Sequence, residues 1–77
     1  IEFKGFDILF EGPVLGPKFI VVRANGNDLG SWFVESPVVA VAVSKVDNYK
    51  LYLKTENGKV FEFDGFTAKV ANVEVTD

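Results

Sequence analysis

Leu51-Tyr52-Leu53-Lys54-Thr55-Glu56-Asn57-Gly58-Lys59-Val60-Phe61-Glu62-Phe63-Asp64 consists of two alternating runs around an Asn-Gly pair. Asn-Gly flanked by alternating apolar residues is the strongest short hairpin signal. Two loop lengths compete. A two-residue loop, Asn57-Gly58, sets Leu53 opposite Glu62 and Leu51 opposite Asp64, which mixes leucines and carboxylates on one face. A three-residue loop, Glu56-Asn57-Gly58, sets Leu53 opposite Phe61 and Leu51 opposite Phe63. A one-residue slip turns every side chain to the other face, so the choice of loop is a choice of core. We therefore expect the three-residue loop, a type I turn closed by Gly58 in the left-handed region as a G1 bulge. The opposite face then carries Lys50 against Asp64, Tyr52 against Glu62 and Lys54 against Val60. On their own, Lys50, Tyr52 and Lys54 resemble a basic stripe with an aromatic in it. The paired carboxylates neutralise that stripe, and cross-strand pairs of this kind contribute about 0.2–1 kcal/mol each.

Working outward, the same alternating grammar recurs. Ile1 and Phe3 alternate with Glu2 and Lys4; after Gly5 the apolar phase moves to Phe6, Ile8 and Phe10. A glycine at a phase slip predicts a bulge or a bend between sheets. Gly12-Pro13-Val14-Leu15-Gly16-Pro17 reads as an irregular connector, because proline cannot donate to a ladder. Lys18 to Ala24 is a strand, Asn25 to Gly30 a turn cluster, Ser31 to Glu35 a short strand and Val38 to Val46 another. In the tail, Thr67 to Thr76, the phase shifts near Asn72, which predicts a bulge or a bend, with a short helical turn over 67–72 as the alternative. Glu2-Phe3-Lys4-Gly5-Phe6 echoes Glu62-Phe63-Asp64-Gly65-Phe66. The echo reads either as a duplicated binding element or as two sheet corners that need the same glycine bend. The corner reading uses strand geometry alone and is preferred.

These elements predict a single all-β domain over 1–77, a small antiparallel barrel or sandwich of SH3-like size with six or seven short strands. A partly closed barrel is the preferred form, since closure removes exposed edges.

Composition narrows the chemistry. The chain has 77 residues, no Cys and no His. Disulfides and His/Cys metal sites are excluded, and so are the commonest nucleophile–base pairs. Carboxylates alone could hold Ca²⁺ or Mg²⁺, or cleave a glycosidic bond in pairs such as Glu62 with Asp64. Asn25, Asn27 and Asp28 offer oxygen ligands but lack the calcium-loop spacing, so a plain turn is expected there. We expect no enzyme and no cofactor. Eight Lys+Arg against eleven Asp+Glu give a net charge of −3, which disfavours broad nucleic-acid or anionic-membrane binding. The apolar runs are too short for a helical bilayer span, and no charged-then-apolar leader opens the sequence. The chain starts at Ile1 rather than Met, which reads as a processed form, a trimmed chain or a domain cut from a longer one.

The functional clue is hydrophobicity on two sides. Phe19 to Val22 and Val38 to Val43 are apolar on both faces, whereas the outer face of a one-core barrel should be polar. Trp32 and Phe33 must point to opposite faces, leaving one ring less sheltered. Val38, Ala40, Ala42 and Ser44, with Trp32, form the expected partner interface. A small domain without staples gains from assembly. The expected function is a non-enzymatic structural or protein-interaction module in a homo-oligomer or larger assembly, for instance a phage particle or a surface protein. The alternative is a small binding barrel for nucleic acid or a protein regulator, using Lys45, Lys50, Tyr52, Lys54 and Lys59.

Overall fold

The computed structural model describes residues 1–13 and 18–73. It contains eight strands: β1 (Glu2–Phe3), β2 (Phe6–Glu11), β3 (Lys18–Ala24), β4 (Asn27–Val34), β5 (Val38–Val43), β6 (Lys50–Thr55), β7 (Val60–Asp64) and β8 (Lys69–Val73). They form two antiparallel four-stranded sheets in simple chain order, β1-β2-β3-β4 and β5-β6-β7-β8. The all-β expectation holds in its sandwich form. The preferred barrel does not: the ladder is not closed from β4 to β5, and each sheet keeps two edges. The shape is flat, 34 × 29 × 15 Å between Cα extremes, as two layers about 10 Å apart require.

The β6–β7 hairpin has the expected register throughout, from Lys50 opposite Asp64 to Lys54 opposite Val60. Its loop is Glu56-Asn57-Gly58, closed by Thr55 N–H donating to the Lys59 carbonyl at 2.8 Å, with Gly58 at φ 90°. Leu51, Leu53, Phe61 and Phe63 are buried on its inner face. They meet Ile8, Ile20, Val22 and Val34 from the other sheet in one cluster. Phe63 is the centre of that contact. The edges of Phe3 and Phe6 meet it at centroid distances of 6.0 and 5.4 Å, a geometry worth about 0.5–1.5 kcal/mol per pair beyond area burial.

The glycine phase slips have a different cause from the one expected. Lys4-Gly5 is the two-residue turn of the β1–β2 hairpin, with Phe3 opposite Phe6. Both turn residues have positive φ, 53° and 85°, the signature of a type I′ turn. Splitting this segment into β1 and β2 is what raises the strand count above seven. The echo at Gly65 opens a longer β7–β8 turn, in which Ala68 N–H donates to the Asp64 carbonyl at 2.8 Å. Neither glycine is a sheet corner or a bulge. Asn25-Gly26 makes a second type I′ turn, so β4 begins at Asn27 and the expected turn cluster ends early. The β3–β4 ladder shifts register between Val22 and Arg23, which leaves Leu29 as the extra residue. β8 pairs regularly through Asn72 and Val73, with neither the expected bulge nor the helical turn. The connector at 14–17 and the tail from Glu74 lie outside the described residues.

Candidate functional site

β5 differs from every other strand of five or more residues. It sits at one edge of its sheet, where β6 is its one strand partner among the described residues. Val41 and Val43 lie opposite Leu53 and Leu51 and so point to the core side. They nevertheless remain 40% and 49% exposed, while Leu53 is fully covered. The facing sheet does not cover them. On the other face Ala40 and Ala42 lie opposite Lys54 and Tyr52 and are also exposed. The strand is thus open on both faces and along its free edge, and it carries no charged or polar side chain between Val38 and Val43.

The expected interface residues divide. Ala40 and Ala42 begin an outward patch that continues through Tyr52 to Val60 and borders a shallow depression of about 240 Å³. By register, Ala71 and Val73 of β8 extend the same face opposite Glu62 and Val60. Val38 turns inward and packs against the core cluster, because the β5–β6 ladder shifts register between Val38 and Ala40. Ser44 follows β5, and its hydroxyl accepts hydrogen bonds from the backbone N–H of Val46 and Asp47 at 3.3 and 3.1 Å. It shapes a turn more than a surface. Trp32 is on the other sheet, half-buried against the core, with its ring over Gly30. A Cβ added at Gly30 would meet that ring at 2.9 Å. Phe33 is the outward ring of the pair, 55% exposed, and it meets Phe19 edge-to-face at 5.7 Å.

The lysine face is partly neutralised by ion pairs. Lys50 Nζ lies 3.5 Å from Glu62 and 3.8 Å from Asp47, and Lys59 Nζ 3.3 Å from Glu35. Charge attraction to Glu62 is the main reason the Lys50 ammonium is raised above its ordinary value. Tyr52 is half-buried between these charges, and Lys45 and Lys54 are exposed. Glu62 and Asp64, the carboxylates considered for hydrolysis, are both engaged. Glu62 holds Lys50, and Asp64 Oδ1 accepts from the N–H of Phe66 and Thr67 at 2.7 and 3.3 Å.

A second concavity lies on the outer face of the first sheet. It encloses about 470 Å³ between Phe19, Val21, Leu29 and Gly30, with Glu11 and Asp28 at its rim. Asp28 Oδ1 accepts a 2.6 Å hydrogen bond from Arg23 Nε, which raises the guanidinium further above its ordinary value. The loop carrying Asn25, Asn27 and Asp28 is therefore a hairpin turn with its carboxylate paired. Among the described residues no three Asp or Glu side chains converge on a point that could hold a metal ion. No helix among the described residues is long and apolar enough to cross a membrane.

Two features lie outside the expected site residues. Among the described residues Thr55 is the one buried polar side chain. Its hydroxyl donates to Asn57 Oδ1 and accepts from the Lys59 N–H at 3.2 Å, which ties the hairpin loop to the inner face. The phase of Leu51 and Leu53 already pointed to Thr55 as inward. Phe66, 79% exposed, stacks on Tyr49 at 4.3 Å, above a close approach in which Gly65 N–H donates to the Tyr49 carbonyl at 2.8 Å. No local sequence pattern joins Tyr49 to Phe66. Compared with known family models, curated proteins and solved structures, the chain matches none.

Proposed function

We propose that the protein is a non-enzymatic structural or protein-interaction module, and that β5 is the element through which it joins an assembly. The observation that carries this reading is the exposure of an uncharged valine–alanine strand on both faces. Contiguous apolar surface of this kind marks interaction sites in small soluble domains, and a core this small gains from added burial. Ala40 and Ala42, continued by Tyr52 and Val60, are the contact residues on the outer face. The nucleic-acid alternative draws less support, since Lys50 and Lys59 are already paired with acidic groups and the chain is acidic overall. The test is Ala40→Glu combined with Ala42→Glu. A buried unpaired charge in a contact costs several kcal/mol, so the double variant should dissociate the assembly and raise the solubility of the free domain. Unchanged assembly and solubility would remove this face from the interface.

A further inference from the structure

The open edge of β5 carries more information than its apolar faces. Ser44 N–H donates to the Lys50 carbonyl at 3.0 Å, which marks Ser44 as a residue that bonds toward β6. Along an antiparallel ladder, residues that bond toward a given neighbour alternate. Ala42 and Ala40, opposite Tyr52 and Lys54, therefore also bond toward β6. Val41 and Val43, opposite Leu53 and Leu51, turn their N–H and C=O groups away from β6, toward the free edge. The parity is consistent across the sheet. Thr55 bonds to Lys59 in the β6–β7 ladder, so Leu53 and Leu51 serve β7, and not β5.

Native edges are usually blunted by a lysine, a proline or a bulge. Here Pro37 and the register shift lie at the entry to β5, before Ala40. The stretch 41–43 has none of these devices. The remaining edges differ. β4 has Asp28 and an extra residue at Leu29, β8 begins with Lys69, and β1 has two residues.

Resting on the reading of β5 as the contact element, we infer that its partner is a second copy of this chain, joined edge to edge in an antiparallel pair. With Ala42 on the two-fold axis, Val41 of one copy faces Val43 of the other, and the reverse. The two N–H and two C=O groups on each edge then satisfy one another, as an isologous contact requires. Ala42 meets its own copy at the close, non-hydrogen-bonded position, where Cα atoms approach to about 4.5 Å and a small side chain fits. The β5–β8 sheets of the two copies become one of eight strands. Val41 and Val43 gain apolar neighbours on the side the facing sheet leaves bare. Charge does not oppose this meeting. Each chain carries a net −3, yet residues 38–43 contain no charged side chain, so no like charges are set opposite one another.

The test is sedimentation of the whole chain over a wide concentration range, read together with amide hydrogen exchange at both ends of it. The expected result is a monomer–dimer equilibrium. Val41 and Val43 amides should be protected in the dimer and exchange on dilution, while Ala40 and Ala42 amides stay protected in both. Val41→Pro removes an outward donor at a position where an edge strand tolerates proline. Each dimer loses two hydrogen bonds, so dissociation should strengthen by about tenfold or more. Val41→Thr keeps the backbone groups and should still dimerise. If Val41→Pro fails to fold, the exchange pattern of the unmodified chain decides. A monomer at every concentration overturns the inference. So does a dimer whose Val41 and Val43 amides exchange freely; if Ala40→Glu then dissolves that dimer, the outer-face contact stands while the edge pairing falls.

Discussion

β6 and β5 are neighbours with nearly the same grammar, and their environments are opposite. Leu51 and Leu53 of β6 are sealed, whereas Val43 and Val41, directly beside them on the same face, are about half open. Alternation specifies which residues share a face. It does not specify how far the opposing layer extends over that face. β6 lies within its sheet and under the Ile8, Ile20, Val22 and Val34 layer; β5 projects beyond it. One strand is covered by its own fold, and the other leaves its apolar side chains half in solvent.

The sharpest way to break this contrast is to truncate one residue on each side of it. Leu53→Ala should cost about 2–5 kcal/mol, because a fully buried side chain leaves a cavity. Val43→Ala should cost under about 1 kcal/mol in the monomer, since half of that side chain is already in water. Urea unfolding measures both, and comparable losses would mean that β5 is as covered as β6. A smaller effect is expected at the hairpin loop. Thr55→Val keeps the shape and removes the hydroxyl that links Asn57 and Lys59, for a loss of about 1 kcal/mol in the same assay. The smallest effect belongs to the lysine face. Lys50→Gln should leave the urea midpoint unmoved within error at moderate salt, because solvent and salt screen these half-buried pairs at the surface. The sign with pH is fixed. The Lys50 pKa is raised in the folded state, so its small contribution is complete below the ordinary lysine value and fades as pH rises through the raised one. A large midpoint shift on Lys50→Gln would show that this face, and not the core, holds the hairpin.

Much of this contrast was legible in the residues. The Asn57-Gly58 hairpin could be read to the residue because its two registers gave cores of very different quality. Trp32 and Phe33 had to divide between two faces, though nothing local said which ring turned in; Gly30, two residues before Trp32 on the same face, makes room for the indole. The same Asn-Gly signal at Asn25-Gly26 is masked by Asn27 and Asp28, polar residues that extend the look of a turn into a strand, and the extra residue at Leu29 breaks the alternation after them. The doubly apolar character of β5 could be read. Its bareness could not, since that depends on where the first sheet ends. The barrel expectation failed for a related reason: closure needs β4 to pair with β5 and β8 with β1, whereas the short joint Glu35-Ser36-Pro37 carries the chain from one layer to the other.

That short joint has a consequence for how the chain finds its fold. Each sheet is a contiguous half of the chain, and no ladder pairing crosses from one half to the other. Every ladder joins strands that follow one another in the chain, so the entropy lost in bringing partners together is small, and strand pairs can form locally before the layers dock. Joining the halves is then a separate event driven by side chains alone, with Phe63 received between Phe3 and Phe6. A chain organised in this way is suited to being divided: two fragments parted at Ser36 would each retain a complete set of strand partners and would need only the apolar layer between them to reassemble.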